Sequence, residues 1–305
     1  MSVRMPTTNN NRQALLDLQR TQEQLAVDST RISTGNRINS PGDDPTGSAL
    51  ILDFTNSIQA NTHFLQQATA ADSMLQSASD AFTSIIGEVN NLQVLAQQGL
   101  SSANTPDGIA ALAAQVQASR SNLLSLANTQ SQGKYVFAGT QTTTVPFTDT
   151  APPAGAVTYS GDSGTISLGV TPTTSVVTNV PGNTLFFGAG GQGSSTDLFQ
   201  AVNDLYNGLS TNNAALVQTA TTNLSGIMSN LYQQQATVGG RQSGLADLQT
   251  TISGVNLSLQ GVQNSLQGTD YAQTISEYSN LNTVQSATLS TMAKNNNNNL
   301  FNYLT

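Results

Sequence analysis

The sequence contains no cysteine and no tryptophan. Without cysteine the chain cannot form disulfides, cysteine-ligated zinc sites or a thiol nucleophile, so the corresponding scaffolds and enzyme classes are excluded. This composition is also compatible with an export route that does not use oxidative folding.

Charged residues are scarce as well, at 9% of the 305 residues, and the formal net charge is -8. Ser, Thr, Asn and Gln must therefore supply most of the polar surface, which favours dense packing against copies of the same chain. No basic residue occurs between Lys134 and Arg241. Because no basic patch is available to displace counterions from phosphates, we expect no nucleic acid partner.

Long apolar runs are also absent. No apolar segment of the signal-peptide type follows Met1, and no run of about 18 residues is apolar enough to span a membrane. We therefore expect no membrane partner, and these standard signals alone predict a soluble cytoplasmic protein.

What the chain does contain is a heptad pattern near both ends. Its C-terminal seam alternates steps of three and four residues: Leu245, Leu248, Ile252, Val255, Leu259, Val262 and Leu266. A weaker N-terminal seam consists of Leu15, Leu18, Leu25 and Ile32, with Gln22 and Ser29 at two further positions. A narrow apolar stripe of this period is buried only by another such stripe. The two seams therefore predict that the ends of the chain pair, and that the chain serves association.

The positions that flank the C-terminal seam are uncharged: Gln249, Thr251, Asn256, Ser258, Gln263 and Ser265. Salt bridges therefore cannot set the register, and we expect exchange of Gln249, Asn256 and Gln263 for Ala to be mild. A carboxylate at Val255 and Leu259 would be buried without a cationic partner, so this double Asp exchange is expected to abolish assembly. The termini are expected to be loose in the monomer and to become ordered on assembly.

Apolar periodicity predicts a mainly α-helical chain, interrupted by a segment rich in Thr, Val, Gly and Pro. The expected fold is a long antiparallel helical bundle or coiled coil of both termini with a small inserted β domain. Three domains are predicted, two of them discontinuous: a terminal coiled-coil domain (1–42 and 266–305), an α-helical rod domain (43–133 and 196–265) and a β-rich outer domain (134–195).

Side chains suited to catalysis or metal binding are sparse. The one histidine, His63, has no good metal ligand one helical turn away. The adjacent carboxylates Asp43 and Asp44 lack EF-hand spacing, and we interpret them as a structural turn in which Asp44 or Thr46 caps the next helix. The sequence therefore predicts no enzyme, no catalytic residue, no cofactor and no metal site.

Several motifs resemble a known family. Residues 31–45 (RISTGNRINSPGDDP) resemble the N-terminal signature of bacterial flagellins, and residues 270–304 are similar to the flagellin C-terminal helix. Residues 133–140 (GKYVFAGT) resemble the start of the outer domain in flagellin-like hook-associated proteins, as do residues 159–164 and 179–182. The signature positions are Arg37, Ile38, Asn39, Asp43, Asp44, Tyr135, Phe137 and Gly139.

This resemblance implies a non-enzymatic building block that joins the flagellar hook to the filament. It implies terminal helices in an inner coiled coil, a helical middle layer and an outer β insertion. It further implies export through the flagellar type III apparatus, a cytoplasmic chaperone at the C-terminal region, and a homo-oligomeric ring beside other hook-associated and flagellin-type subunits. The expected location is therefore secreted, at the hook–filament junction, which replaces the cytoplasmic location predicted from signals alone.

Two alternatives stay open at this point. A flagellin would polymerise alone into a long filament. A secreted coiled-coil adhesin would carry a large or repeated outer domain, whereas the insertion here has only about 60 residues, near the lower end of domain sizes. The five consecutive asparagines at 295–299 also differ from the more apolar C-terminal helix that is usual in the flagellin family.

Overall fold

Six α-helices contain most of the residues that the structure, a computed structural model, describes: 5–101, 105–150 and 155–297. The helices are α1 (Met5–Thr34), α2 (Pro45–Gly99), α3 (Pro106–Ala127), α4 (Leu198–Ser210), α5 (Ala214–Gln267) and α6 (Tyr271–Asn297). Two compact units are present: a terminal unit within residues 1–60 and 255–305, and a central unit within residues 61–254. The long helices α2 and α5 contribute residues to both units.

The inserted segment between α3 and α4 forms three small antiparallel hairpins in its described part. They pair β1 (Gln130–Ser131) with β2 (Lys134–Tyr135), β3 (Phe147–Asp149) with β4 (Val157–Tyr159), and β5 (Ser167–Gly169) with β6 (Ser175–Val177). A single π-helical turn, Asn183–Phe187, follows them. Hairpins this short are not stable alone, so their packing against the rest of the unit must hold them.

An aromatic cluster provides that packing. The ring of Phe137 contacts Phe82 of α2 and Phe186 edge-on, with centroids 6.0 and 5.6 Å apart. Phe147 of β3 contacts the rings of Phe186 and Phe199, which lie 4.8 and 5.9 Å away. The insertion therefore shares one apolar core with the helices of the central unit.

Heptad spacing describes the buried residues of the two longest helices in the central unit. On α2, eight fully buried residues follow alternating steps of three and four: Ala68, Ala71, Leu75, Ala78, Phe82, Ile85, Val89 and Leu92. On α5, every seventh residue is apolar and buried: Val217, Leu224, Leu231, Val238, Leu245 and Ile252. Buried stripes of this kind, rather than intrinsic helix propensity, stabilise helices of this length.

A buried arginine joins the insertion to the helices. Arg120 of α3 is 3% exposed and forms an ion pair with Asp149 of β3. Its Nε donates to Asn203 Oδ1 of α4 (2.8 Å), and its Nη2 donates to the Gly155 carbonyl oxygen (2.8 Å). Because every partner is hydrogen-bonded, the buried charge is compensated and the β3–β4 hairpin is fixed against α3 and α4.

The predicted fold class is confirmed: the chain is mainly helical, with long helices and a few small antiparallel sheets. The structure separates two units where the sequence predicts three domains, because the insertion shares its core with the central helices. The finer division into terminal, rod and outer domains stays a prediction. Residues 295–297 of the asparagine run form the end of α6, and residues 298–299 lie outside the described residues.

Candidate assembly site

Two turns of the terminal unit meet, and together they contain the signature residues of the N-terminal motif. The turn between α1 and α2 (35–44) contacts the turn after α5 (267–270). The amide of Arg37 donates to the Gln267 carbonyl oxygen (2.6 Å), and the amide of Thr269 donates to the Gly35 carbonyl oxygen (3.0 Å). Asn36 and Gly268 form an antiparallel bridge between these bonds. We call residues 35–44 and 267–270 the turn joint.

Gly35 ends α1 in a backbone conformation that other residues adopt with strain, with φ +74°. A Cβ atom at this position would lie 2.7 Å from the Tyr271 hydroxyl oxygen. Glycine is therefore required both by the left-handed backbone at the helix end and by the close approach of α6.

Arg37 connects two helix ends. Its Nη2 donates to the carbonyl oxygen of Leu266 in the last turn of α5 (3.2 Å) and to Asp44 Oδ2 (3.3 Å). The last turn of α5 has no basic residue of its own, so Arg37 supplies the positive charge favoured at a helix C-terminus. Asp44 in turn accepts from the Gly47 amide (2.9 Å) and caps α2. The Gly47 amide, together with Arg37, lowers the pKa of the Asp44 carboxyl.

Asp43 holds the turn itself. Its Oδ2 accepts hydrogen bonds from the amides of Asn39 (3.0 Å) and Ser40 (2.8 Å), and these bonds lower the pKa of the Asp43 carboxyl. The Asn39 side chain donates to the Asn36 carbonyl oxygen (2.8 Å), and Ile38 is 4% exposed. The N-terminal signature is therefore a set of structural contacts, as expected for the acidic pair, and Asp44 rather than Thr46 caps α2.

The N-terminal seam packs against a different helix from the one its spacing predicts. Helix α1 packs along α6, not along the seam of α5. Leu18, Leu25 and Ile32 are half-buried there, whereas Leu15 is 50% exposed. The ends of the chain therefore pair as expected, but α6, which directly follows the turn joint, takes the place beside α1 that we expected for the C-terminal seam.

The C-terminal seam divides into two rows. Leu245 and Ile252 are buried, and Leu248, Leu259 and Leu266 are half-buried. Val255 and Val262 are exposed, at 46% and 51%. Their neighbours Asn256 and Gln263 take the inner positions: Asn256 is 9% exposed, and Gln263 Nε2 donates to Thr55 Oγ1 of α2 (3.1 Å). A straight helix of 3.6 residues per turn drifts from a strict 3.5-residue repeat. This drift moves the inward-facing position by one residue, from Val255 to Asn256 and from Val262 to Gln263.

The terminal unit therefore has an unusual surface. All but three of the exposed large apolar side chains in the described residues belong to it. They are Leu15, Leu16, Val27, Leu50, Leu52, Val255, Leu257, Val262, Tyr271, Ile275, Tyr278, Val284 and Leu289. Some of them recur at helical spacing, as Tyr271, Ile275 and Tyr278 do on α6, and apolar rows left exposed in this way are typical of helices that bind another protein.

The inner positions of this unit are mostly polar. Ile38 is the one buried apolar residue among its described side chains, whereas Asp28, Asn256 and Thr274 are all buried. Asp28 accepts a hydrogen bond from Arg31 Nη1 (3.4 Å), one helical turn away on α1. The heptad seams give no signal for these residues, whereas the apolar residues spaced by four and three in 271–278 indicate the exposed face of α6.

The signature residues of the insertion have separate roles in the central unit. Phe137 is fully buried in the aromatic cluster, and Tyr135 is half-buried, with its amide bonded to the Thr142 carbonyl oxygen (2.8 Å). Gly139 has φ +69°, and a Cβ atom there would collide with Asp162. Asp162 accepts hydrogen bonds from the Thr140 side chain and amide, which lower the pKa of its carboxyl.

Among the described residues, no three His, Cys, Asp or Glu side chains converge to hold a metal ion. Within the same part of the chain, none of the helices is both long enough and apolar enough to cross a membrane.

Comparison with known proteins agrees with this description. Residues 6–142 match the family model described as the bacterial flagellin N-terminal helical region. The chain is 28% identical over 120 residues to flagellar hook-associated protein 3 of Escherichia coli. The matched region covers 39% of this chain and 38% of that protein. The match thus spans less than half the length of this curated relative.

Solved structures share the fold over a larger part of the chain. A putative flagellar hook-associated protein from Vibrio parahaemolyticus matches with a TM-score of 0.68 and 19% identity, covering 74% of this chain and 100% of that one. The flagellar junction protein FlgL from Legionella pneumophila matches with a TM-score of 0.58 and 17% identity, covering 73% and 100%. Residues 6–142 are thus similar to the N-terminal helical region of bacterial flagellins, and the chain has the fold that these flagellar hook-associated structures share.

Proposed function

We propose that this chain is a structural subunit of the bacterial flagellum, exported and assembled at the hook tip, where it forms the junction between hook and filament. The observation that carries the proposal is the exposed apolar surface of the terminal unit. Removing such surface from water stabilises an assembly by roughly 25 cal/mol per Å². Neighbouring subunits that cover it supply the driving force that a monomer lacks.

The names of similar proteins support this function over other structural functions. The relative from Escherichia coli is named flagellar hook-associated protein 3, and the solved structure from Legionella pneumophila is described as a flagellar junction protein. By extension, the partners are copies of this chain in a ring, a neighbouring hook-associated protein and flagellin-type subunits. The chain acts by occupying a place in an assembly, not by catalysis.

Before assembly, the exposed apolar residues of α6 need protection from water and from each other. Ile275, Tyr278 and Leu289 are 52%, 37% and 50% exposed on that helix. We propose that a cytoplasmic export chaperone covers this C-terminal region, since a hydrophobic groove that receives an amphipathic helix is a common mode of recognition.

A deletion strain tests the function. Loss of the chain should leave hooks without filaments, while flagellin accumulates in the medium, and the parent gene should restore filaments and swimming. Normal filaments in the deletion strain would contradict the proposal and favour a role outside the flagellum, such as adhesion.

A surface variant tests the assembly site in the same strain. Val255→Asp with Val262→Asp should fold, because both side chains are exposed, but it should not restore filaments, since an assembled neighbour would bury unpaired charges. Val94→Asp is the matched control, because Val94 is 50% exposed in the central unit. If the double variant, shown by circular dichroism to be helical, restores swimming like the control, this row is not part of the interface.

A flagellin filament subunit is the second candidate function, favoured by the match of residues 6–142 to the flagellin N-terminal helical region. Negative-stain microscopy separates the two. A junction protein should not form long filaments when purified alone, whereas a flagellin should.

A further inference from the structure

Two hydrogen bonds in the central unit join α2 to α5 one heptad apart. Gln235 Nε2 donates to Thr83 Oγ1 (3.4 Å), and Gln242 Nε2 donates to Gln76 Oε1 (3.0 Å). A step of seven residues forward along α5 is therefore matched by a step of seven residues backward along α2. This spacing is the signature of antiparallel helices paired in a heptad register.

The terminal unit contains a third bond of the same kind. Gln263 Nε2 donates to Thr55 Oγ1 (3.1 Å). Gln263 lies three heptads after Gln242, and Thr55 lies three heptads before Gln76, so this bond obeys the same register as the two bonds of the central unit.

The sequence continues the pattern between these bonds. Every seventh residue of α2 in this stretch has an uncharged hydrogen-bonding side chain: Thr55, Thr62, Thr69, Gln76 and Thr83. Every seventh residue of α5 is an amide: Gln235, Gln242, Gln249, Asn256 and Gln263. The five amides are half-buried or buried beside the apolar row of α5. We call these two rows the polar ladder.

Flanking positions of this type usually carry ion pairs that select the partner helix and its register. Here the flanking residues are uncharged, and hydroxyl and amide groups make the interhelical bonds instead. These uncharged interhelical bonds matter most in the terminal unit. Ile38 is the one apolar residue buried among the described side chains of that unit, and it cannot by itself fix the register of two helices.

We propose that the polar ladder specifies the antiparallel register of α2 and α5 without charge, which makes this register independent of ionic strength. Gln249, Asn256 and Gln263 thus carry register information, contrary to the expectation from sequence that their exchange for Ala is mild. The inference concerns the isolated chain, so it stands or fails independently of the proposed flagellar function.

The absence of cysteine gives a clean test. Spin labels on cysteines introduced at Asn56 and Val262, both exposed in the terminal unit, report the distance between α2 and α5 by pulsed electron resonance. In the parent we expect one narrow distance that stays the same from about 0.05 to about 1 M NaCl, a range over which the Debye length falls about fourfold.

The ladder variant carries Gln242→Ala, Asn256→Ala and Gln263→Ala. Its distance distribution should broaden, by up to about 10 Å, the rise of one heptad of helix. Its unfolding equilibrium constant should rise about twofold to threefold for each rung removed. The matched control replaces the exposed residues Gln233, Gln260 and Asn264 by Ala and should give the narrow parental distance.

A charged ladder completes the test. Thr83→Lys with Gln235→Glu and Thr55→Lys with Gln263→Glu should keep the narrow distance at low salt and broaden it at high salt, because screening weakens exposed ion pairs. A ladder variant with the same narrow distance as its control at every salt concentration would overturn the proposal. So would a parental distance that broadens with salt.

Discussion

The central and terminal units are built on the same heptad spacing but fill its positions differently. In the central unit the inner rows of α2 and α5 are apolar and fully buried, as at Leu75 and Leu245. In the terminal unit the buried positions include Asp28, Asn256 and Thr274, and many of the large apolar side chains are exposed. Heptad spacing thus indicates that helices pair, but the chemistry of each row decides whether a unit is complete alone or needs a neighbour.

The largest expected difference between the units concerns their arginine–carboxylate pairs. Arg120→Met removes the buried cation that pairs with Asp149, whose side chain is 11% exposed, and should cost about 3–5 kcal/mol of unfolding free energy. Arg20, whose pair with Asp17 is largely exposed in the terminal unit, is the control, and Arg20→Met should cost about 0–1 kcal/mol. Urea unfolding measures both, and equal effects would remove the contrast between the units.

Apolar truncation should follow the same order. Leu75→Ala in the central core should cost about 2–5 kcal/mol, because it removes a fully buried side chain and leaves a cavity. Leu257→Ala, at a terminal-unit residue that is 71% exposed, should change stability by no more than about 0.5 kcal/mol. The change in urea midpoint is the measurement. A large loss at Leu257 would show that the terminal unit buries it within the monomer.

Two glycines sharpen the comparison inside the terminal unit. Gly35→Ala should destabilise the unit by about 1–2 kcal/mol, since φ is positive and Tyr271 blocks the added methyl. Gly261→Ala should stabilise it by about 0.5–1 kcal/mol, because Gly261 lies inside α5 with open space around it. Amide hydrogen exchange of the terminal helices reports both effects. Opposite signs are expected, and two changes of the same sign would argue against the turn joint.

Acid titration should give the smallest effect. Backbone amides lower the pKa of Asp43 and Asp44, so the stability they contribute is present above about pH 4 and is lost as the pH falls through their folded pKa. Burial raises the pKa of Asp197 in the central unit, so its contribution to stability has the opposite sign: it is present below about pH 4 and is lost as the pH rises through the folded pKa of Asp197. Carboxyl carbon shifts measured by NMR should place the midpoints of Asp43 and Asp44 below that of Asp197.

The sequence predicts the helices well because their signals are local. Pro106 follows Thr105, whose Oγ1 accepts from the Gly108 amide (3.2 Å) and caps α3, and Gly35 directly follows the last residue of α1. The change of composition after Gly133 likewise marks the start of the insertion, whose strands are short and separate.

Pairing was harder to predict because it depends on small angular differences. Period 3.5 places Val255 inward, whereas a straight helix turns its neighbour Asn256 inward. Helix α1 pairs with α6 because the turn joint brings the two helices together. The two segments of the turn joint, 35–44 and 267–270, are far apart in the sequence, so no local pattern indicates their contact. The Arg120–Asp149 pair also has no local signal, since a buried and an exposed arginine look alike in a sequence.

The turn joint has a mechanical consequence. The polypeptide passes through it twice, once between α1 and α2 and once between α5 and α6, and cross-strand hydrogen bonds tie the two passages together. Tension applied along α1 and α6 is therefore shared by the two passages of the polypeptide through the turn joint. If one passage is pulled along its length relative to the other, the bonds from Arg37 and Thr269 to the opposite segment share the load, because they lie side by side across the joint.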